Sequence, residues 1–474
     1  MGYKNDSSEE IKDTFELSPK WSKYEIDLTG KNLSDICAGF FFVFNQELDP
    51  NPDGCTFYLD EISFNLPRED SIRFLQSYEM SSSKNYRMAN KAYTYDNALA
   101  MIAFLVRGTQ EDIRRARIIG DAFKYAQEND RYYKDGRLRN AYSSGDIIHH
   151  QTGKARLPGW WDSDSSKWFE DSYDVGTYTG EMAWIIIAWL SYDSITNENR
   201  YIQNAIDLGN WIYEHCYDST GIPGYTGGYI GWEPQPTKEN WKSTEHNIDV
   251  YVAFKRLYHH TGNDIWLKRS IKALNFVKSL WDSSTKHFWS GTLDSLNIND
   301  FSPLDAQTFG ALALDEEPYD CGFLWAEDNC CVSLSEYKGF HFSNICDGIW
   351  WEGTAQMCCT YFEKNKKDKA DTYIEELRKW QEFSSFGNKQ GIVACYPDSI
   401  WTGLTRFWGK WYYYADLHIG ATSWYIFAER KINPFWGSKM GSVEKKLILL
   451  LLYISVKILS IILQEYSIAF QETL

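Results

Sequence analysis

Positive charge is what this sequence has least of. Across 474 residues it sets 48 Lys and Arg against 65 Asp and Glu, a formal net charge of −17. Proteins that grip nucleic acid cluster Lys and Arg against phosphate, so this balance excludes nucleic acid as a natural partner and favours neutral ligands over acidic ones. The ten cysteines contain no C-x-x-C, and the vicinal pairs Cys330/Cys331 and Cys358/Cys359 lie among apolar or small residues. They read as buried thiols, neither a zinc site nor a disulfide framework. The nine histidines are scattered: His149 and His150 fall in a polar loop, His259 and His260 at the far end of a helix. No metal site and no cofactor is expected from them.

Long apolar runs are also missing until the very end. The opening "MGYKNDSSEEIKDTFELSPK" is polar and has no signal-peptide core. Only "LILLLLYISVKILSIIL", Leu447 to Leu463, approaches the length that spans a bilayer, and it carries Lys457. Residues 437–474 therefore form a hydrophobic tail that is either an anchor or an aberrant end, and membrane contact is expected only if it is an anchor.

Aromatic residues are plentiful at 17%, with 21 Trp, 32 Tyr and 26 Phe. Large cores use them, and so do surfaces that stack flat ligands such as sugar rings. Two patterns divide the chain. In residues 1–67 the runs "KYEIDL", "AGFFFVF" and "TFYLDEISF" are short, β-branched and aromatic, and the turn "NPDG" separates them. They predict antiparallel strands, too few for an independent domain and hence a partial β-sandwich. Asp49, Asn51, Asp53, Gly54 and Asp60 match EF-hand spacing, but strands flank them and prolines interrupt them, so a hairpin turn is expected.

From residue 68 to 436 the period becomes helical. An apolar helix followed closely by an amphipathic one recurs: Tyr95–Gly108 with Glu111–Asp130, Gly180–Ile195 with Glu198–Tyr217, and Thr244–Gly262 with Asp264–Ser283. Further pairs are Ser302–Leu314 with a weaker partner near Val332, and Trp351–Glu363 with Lys367–Phe383, before a last apolar helix at Gly420–Ile432. Glu69–Met80 is expected to supply a twelfth helix. Helices apolar all round are buried and those with one polar face lie outside. The pattern predicts a mainly α fold, an (α/α)6 toroid of six helical hairpins. Its long outer-to-inner loops would crowd one face and make a cleft there.

The phrases "YTYDNALA", "RLPGWWD", "TYTGEMAW", "STEHNID", "LDAQT", "DGIWWEGTAQ" and "ATSWYIFA" resemble the six-hairpin glycosidase-like superfamily over most of Tyr93 to Phe435. That resemblance implies glycosidic-bond cleavage at the cleft, on a carbohydrate substrate, with sugar epimerases and polysaccharide lyases as relatives on the same barrel; a non-catalytic glycan-binding protein is the alternative from another class. It also implies work outside the cytoplasm. The strands before residue 67 resemble the last strands of a galactose-binding-like carbohydrate-binding module.

Glycoside hydrolysis needs one protonated carboxyl group near the leaving oxygen and a second carboxylate for water or the anomeric carbon. Asp96, Glu181, Glu245, Asp305 and Glu352 each stand at the start of a different inner helix. Acids also suit helix N-termini for capping and dipole reasons alone, so each has a purely structural alternative. Glu245 is the first choice for general acid, because Trp241 precedes it and Asp249 follows one turn later on the same face. Asp96 is the choice for base, with Glu352 close behind. Asp249 is expected to orient His246 or tie inner helices together. Glu170 and Asp171 sit in a loop from which they reach substrate or end a turn, and Trp160, Trp161, Trp232, Trp241 and Trp289 are candidate stacking platforms. His418 begins the last inner helix and would be a proton shuttle in an epimerase, together with a second His that this barrel is expected to offer poorly.

Overall fold

The computed structural model describes residues 71–440, except 80–86, 89, 150, 163–164, 407–408 and the side chains of 161 and 406. The expected β-sandwich remnant, its EF-hand-like turn and the segment Leu447–Leu463 lie outside the described residues. No described helix is long and apolar enough to cross a membrane.

Eleven α-helices are present among the described residues. Six form the inner ring: α1 (Thr94–Arg107), α3 (Thr179–Thr196), α5 (Thr244–Thr261), α7 (Leu304–Ala313), α9 (Trp351–Glu363) and α11 (Ile419–Arg430). Five lie outside: α2 (Gln110–Glu128), α4 (Ile202–Trp211), α6 (Asp264–Ser279), α8 (Gly322–Asn329) and α10 (Lys367–Phe383). Each inner helix packs on the next, and α11 packs back on α1, which closes the toroid. The sequence reason is visible in α3, which buries Met182 to Asp193 without a break, against α10, which buries only one stripe.

Two expected elements differ. Residues 71–79 are extended, with Arg73–Phe74 paired to Gly145–Asp146 and Tyr78–Glu79 paired to Leu417–His418, so Glu69–Met80 supplies no twelfth helix. The Asn97 amide captures this segment, accepting from the Leu75 N–H at 2.8 Å and donating to the Leu75 carbonyl at 3.0 Å. Those backbone groups are thereby removed from helix formation. The weak partner near Val332 is α8, ten residues earlier; Val332 itself lies in a hairpin strand, Cys331–Leu334.

Inner-helix starts are held by the neighbouring loops. Lys91–Tyr93 before α1 pairs with Ala141–Ser143, Thr177–Tyr178 before α3 with Gly228–Ile230, and Lys242–Ser243 before α5 with Gly291–Thr292. Ile349–Trp350 before α9 pairs with Cys395–Tyr396, and Leu417–His418 before α11 returns to Tyr78–Glu79. This belt of short strands runs around the mouth of the barrel.

Side chains of the first helical turn lock into the belt. Thr94, Thr179 and Thr244 each open an inner helix and donate a hydroxyl proton at 2.6 Å to a loop carbonyl, of Arg139, Thr226 and Trp289 respectively. In the fourth position of α1, α5 and α7, Asn97, Asn247 and Gln307 grip the backbone of Leu75, Tyr225 and Phe288 through both amide atoms. Thr354 and Thr422 hold the N–H of Phe340 and Ile392 in the same helical position. With both flanking positions committed to loops, the residues between them face the barrel axis.

Candidate active site

The acids occupy those axial positions. Asp96, Glu181, Glu245, Asp305 and Glu352 all lie in the first turn of their inner helices, and the sixth inner helix starts with His418 instead. Capping accounts for only part of this. Asp305 does accept the N–H of Ala306 at 2.7 Å. Ser243, not Glu245, caps α5 by accepting the N–H of His246 at 3.3 Å. Asp96 and Glu352 instead meet side chains of other elements, His418 for both and Tyr95 for Glu352.

His418 joins two of the acids: its Nε2 lies 3.2 Å from Asp96 Oδ1 and its Nδ1 lies 3.6 Å from Glu352 Oε2. The Ala421 N–H donates to Nδ1 at 3.3 Å, which leaves the Nε2 proton directed at Asp96. Burial disfavours a charged imidazole, yet Asp96 and Glu352 outweigh it and hold the His418 pKa above the ordinary value. Gly420 keeps this corner open, because a Cβ there would sit 2.6 Å from Glu352 Oε2 and 3.0 Å from Asp96 Oδ1. Glu352 also accepts the phenol proton of Tyr95 at 2.9 Å, and Tyr95 in turn accepts the Trp424 indole N–H at 2.9 Å.

The other acids form a cluster without a bonded cation. Asp249 is 0% exposed and both its oxygens lack a hydrogen-bond partner among the described residues; Glu181 Oε2 is buried and equally unpartnered. Burial, then the negative charges of Asp305, Asp249, Glu181 and Glu352, push Glu245 well above the usual carboxylate range. Asp249 is raised by burial and then by Glu181 and Asp305. Burial lifts Glu181 and Asp305 to about 7 each. Glu352 also reaches about 7 through burial, although His418 lowers it. Glu181 and Glu245 are partly exposed by surface area yet deep in the concavity, so they remain reachable from the cleft.

Asp249 shares the inner face with Glu245, and the Trp184 indole of α3 lies close enough to lower its pKa, which fits a tie between inner helices. Glu170 and Asp171 are committed elsewhere. Arg131 holds Glu170 at 2.6 Å, and Asp171 accepts the Tyr173 N–H at 2.8 Å in a local turn. Trp241 stands beside the start of α5: its ring lies 5.4 Å from His246 and 6.4 Å from Tyr178. Trp160 stacks on Phe169 at the rim under Arg87, Trp232 is 47% exposed, and Trp289 packs edge-on against His287. The Trp161 side chain lies outside the described residues.

Three tyrosines join the site that sequence reading did not select. Tyr78 stacks on His418 at 4.3 Å, Tyr95 bonds Glu352, and the Tyr413 ring lies 6.5 Å from that of His418. Burial first, then Asp96 and Glu352 for Tyr78 and Glu352 above all for Tyr413, push both phenols well above the ordinary tyrosine range. The signal was the aromatic residue beside each acid or histidine motif, as in "YTYDNA" and "WYYYADLH".

No family model and no curated protein matches this chain. Among solved structures it is similar to a sugar epimerase from a ruminal bacterium, with 14% identity, a TM-score of 0.52, and coverage of 77% of this chain and 94% of the other. It is similar to cellobiose 2-epimerase from Bacillus thermoamylovorans B4167, with 12% identity, a TM-score of 0.52, and the same 77% and 94% coverage. A third similar structure is a glycoside hydrolase family 76 mannosidase from Bacteroides thetaiotaomicron, at 15% identity and a TM-score of 0.47, covering 75% of this chain and 90% of that one. The fold is the (α/α)6 toroid implied by the sequence resemblance.

Proposed function

We propose that the protein is a glycoside hydrolase acting on a neutral oligosaccharide or polysaccharide, with carboxyl groups as acid and base. The observation that carries this reading is the convergence of five acids from five inner helices on one cleft, with Glu245 kept protonated by burial and like charge. Glycosidic oxygen is a poor leaving group until a proton reaches it. A carboxyl group whose pKa is raised supplies that proton near neutral pH. Glu245 donates to the leaving oxygen. Asp96, supported by His418, accepts a proton from the attacking water, and Glu352 is the alternative for this role. Breaking the C–O bond leaves an oxocarbenium-like centre that the surrounding carboxylates stabilise.

The test is hydrolysis of neutral glycans by the purified protein, followed by Glu245→Ala and Asp96→Ala. Lost turnover with retained ligand affinity supports the assignment, and full turnover in both variants removes it. Anomer analysis of the first product then separates inversion from retention.

A second reading, sugar epimerisation, draws on one specific feature. His246 is in the first turn of α5 and His418 begins α11, the third and sixth helices of the ring, so imidazoles stand on opposite sides of the cleft. Two bases on opposite faces suit removal and return of a proton next to a carbonyl. Deuterium incorporated from solvent into recovered monosaccharide or cellobiose, without cleavage, would select this reading over hydrolysis.

A further inference from the structure

The loop between α10 and α11 carries a long hairpin, Ser399–Arg406 with Gly409–Tyr414. Its two faces have different tasks. The inner face presents Ile400, Trp411 and Tyr413: Ile400 is buried, Trp411 meets Tyr173 at 5.2 Å, and Tyr413 packs on Trp350 at 5.4 Å beside His418. The outer face, one residue out of phase, presents Trp401, Tyr412 and Tyr414. Trp401 is the cross-strand partner of Tyr412, and the Tyr412 and Tyr414 rings lie 6.3 Å apart at 36°. Tyr412 is 37% exposed and Tyr414 is 49% exposed. The Trp401 indole is fixed by donating to the Leu404 carbonyl at 3.1 Å, and Lys410 stands over its ring at 4.3 Å.

We infer that this outer face is a second glycan-binding surface, on which an extended neutral sugar chain lies across Trp401, Tyr412 and Tyr414. Three observations carry it. The rings are pre-positioned by strand register and by the indole bond, so little side-chain freedom is lost on binding. The Tyr412 and Tyr414 rings stand 6.3 Å apart with Trp401 across the strand from Tyr412, and sugar rings present C–H faces that stack on aromatic faces. Finally, the same strand supplies the cleft with Tyr413 and the outside with Tyr412 and Tyr414, so a chain leaving the cleft over this hairpin meets the outer rings next. A polar residue at 412 and 414 would satisfy a solvent-facing strand equally well. The inference rests on the carbohydrate reading of the cleft and adds a place where chain length is sensed.

Affinity electrophoresis of the whole protein through gels containing soluble mannan, xylan or β-glucan tests it. Retardation by at least one polymer is expected for wild type. Tyr412→Ser/Tyr414→Ser should weaken it by roughly fivefold or more per ring, while Tyr412→Phe/Tyr414→Phe, which keeps the faces, should retain it. Thermal melts establish that the serine variant is folded. Equal retardation of wild type and the serine variant, or no retardation of wild type by any of the three polymers, overturns the surface. Glu245→Gln, run in the same gels, separates the two ideas: if it keeps both hydrolysis and retardation, the catalytic assignment fails while the binding surface stands.

Discussion

The two ends of the inner-helix ring handle charge in opposite ways. Away from the cleft, several acids meet a base, although the buried Arg256 donates to the Phe435 carbonyl and has no carboxylate within salt-bridge range among the described residues. Arg107 pairs with Asp112, which also completes a capping box with Thr109 on α2. Arg200 meets Asp121 at 2.7 Å, and Arg378 meets Glu429 at 2.6 Å. Asp193 accepts the N–H groups of Arg200 and Tyr201 at 2.8 and 3.0 Å. At the mouth, Glu181, Glu245 and Asp249 face one another with no bonded Lys or Arg among the described residues. Helix dipoles favour acids at the mouth and lower their pKa. Burial and mutual repulsion win, because Glu181, Glu245, Asp305 and Glu352 are all shifted upward. Such an arrangement costs a scaffold stability, and it supports the proposed proton transfer.

The largest expected effect breaks the mouth. Glu245→Gln should lower kcat by about 10²- to 10⁴-fold with substrate affinity kept, as for loss of a general acid. A kcat within a few-fold of wild type would return Glu245 to a structural role.

Stability against pH should separate the ends next. Glu181, Asp305 and Glu352, raised to about 7, bind protons in the folded state that the unfolded chain releases near pH 4. The folded state then holds more protons than the unfolded state between about pH 4 and 7. Stability therefore falls as pH rises through that window, by up to about 1.4 kcal/mol per pH unit for each group. Asp112 has the opposite sign: its carboxyl is held far below the usual range by Arg107, so its contribution is complete above about pH 4 and fades only in stronger acid. Denaturant melts from pH 4.5 to 7.5 in the substrate-free protein measure the slope, and a flat or rising profile would remove the uncompensated cluster.

Asp249→Asn should sharpen the contrast by stabilising the protein at pH 7 by about 1–2 kcal/mol, because it removes a buried like charge without changing shape. A lowered melting temperature would mean that the carboxylate has a partner in solution. The smallest effect belongs to the far end. Thr109→Ala should cost about 0.5–2 kcal/mol through the lost cap on α2 and leave kcat unchanged. Thermal melts and initial rates on one preparation check both halves.

Much of this was legible before folding. Unbroken apolar runs such as Trp184–Leu190 can only be buried, and the acid at each inner-helix start is fixed by chain position. The extended segment 71–79 was hidden because its apolar spacing suits a helix, while the Asn97 amide that claims Leu75 is 22 residues away. Trp424 bonds Tyr95 across 329 residues, and no local pattern reports such a pair. Glu170 looked free in its loop until Arg131, 39 residues earlier, was brought against it.

The sequence by itself determined an acidic, aromatic-rich chain with six buried helices whose first turns hold acids or a histidine, because hydrophobic period and helix-start chemistry are local properties. Only the tertiary structure decided which of those groups meet. Closing the ring of inner helices put Asp96 and Glu352 on either side of His418, set Asp249 near Glu245 with no Lys or Arg bonded to it among the described residues, and divided the aromatic residues of one hairpin between cleft and surface. Such meetings depend on burial and on distances between residues far apart in the chain, which ring closure alone sets.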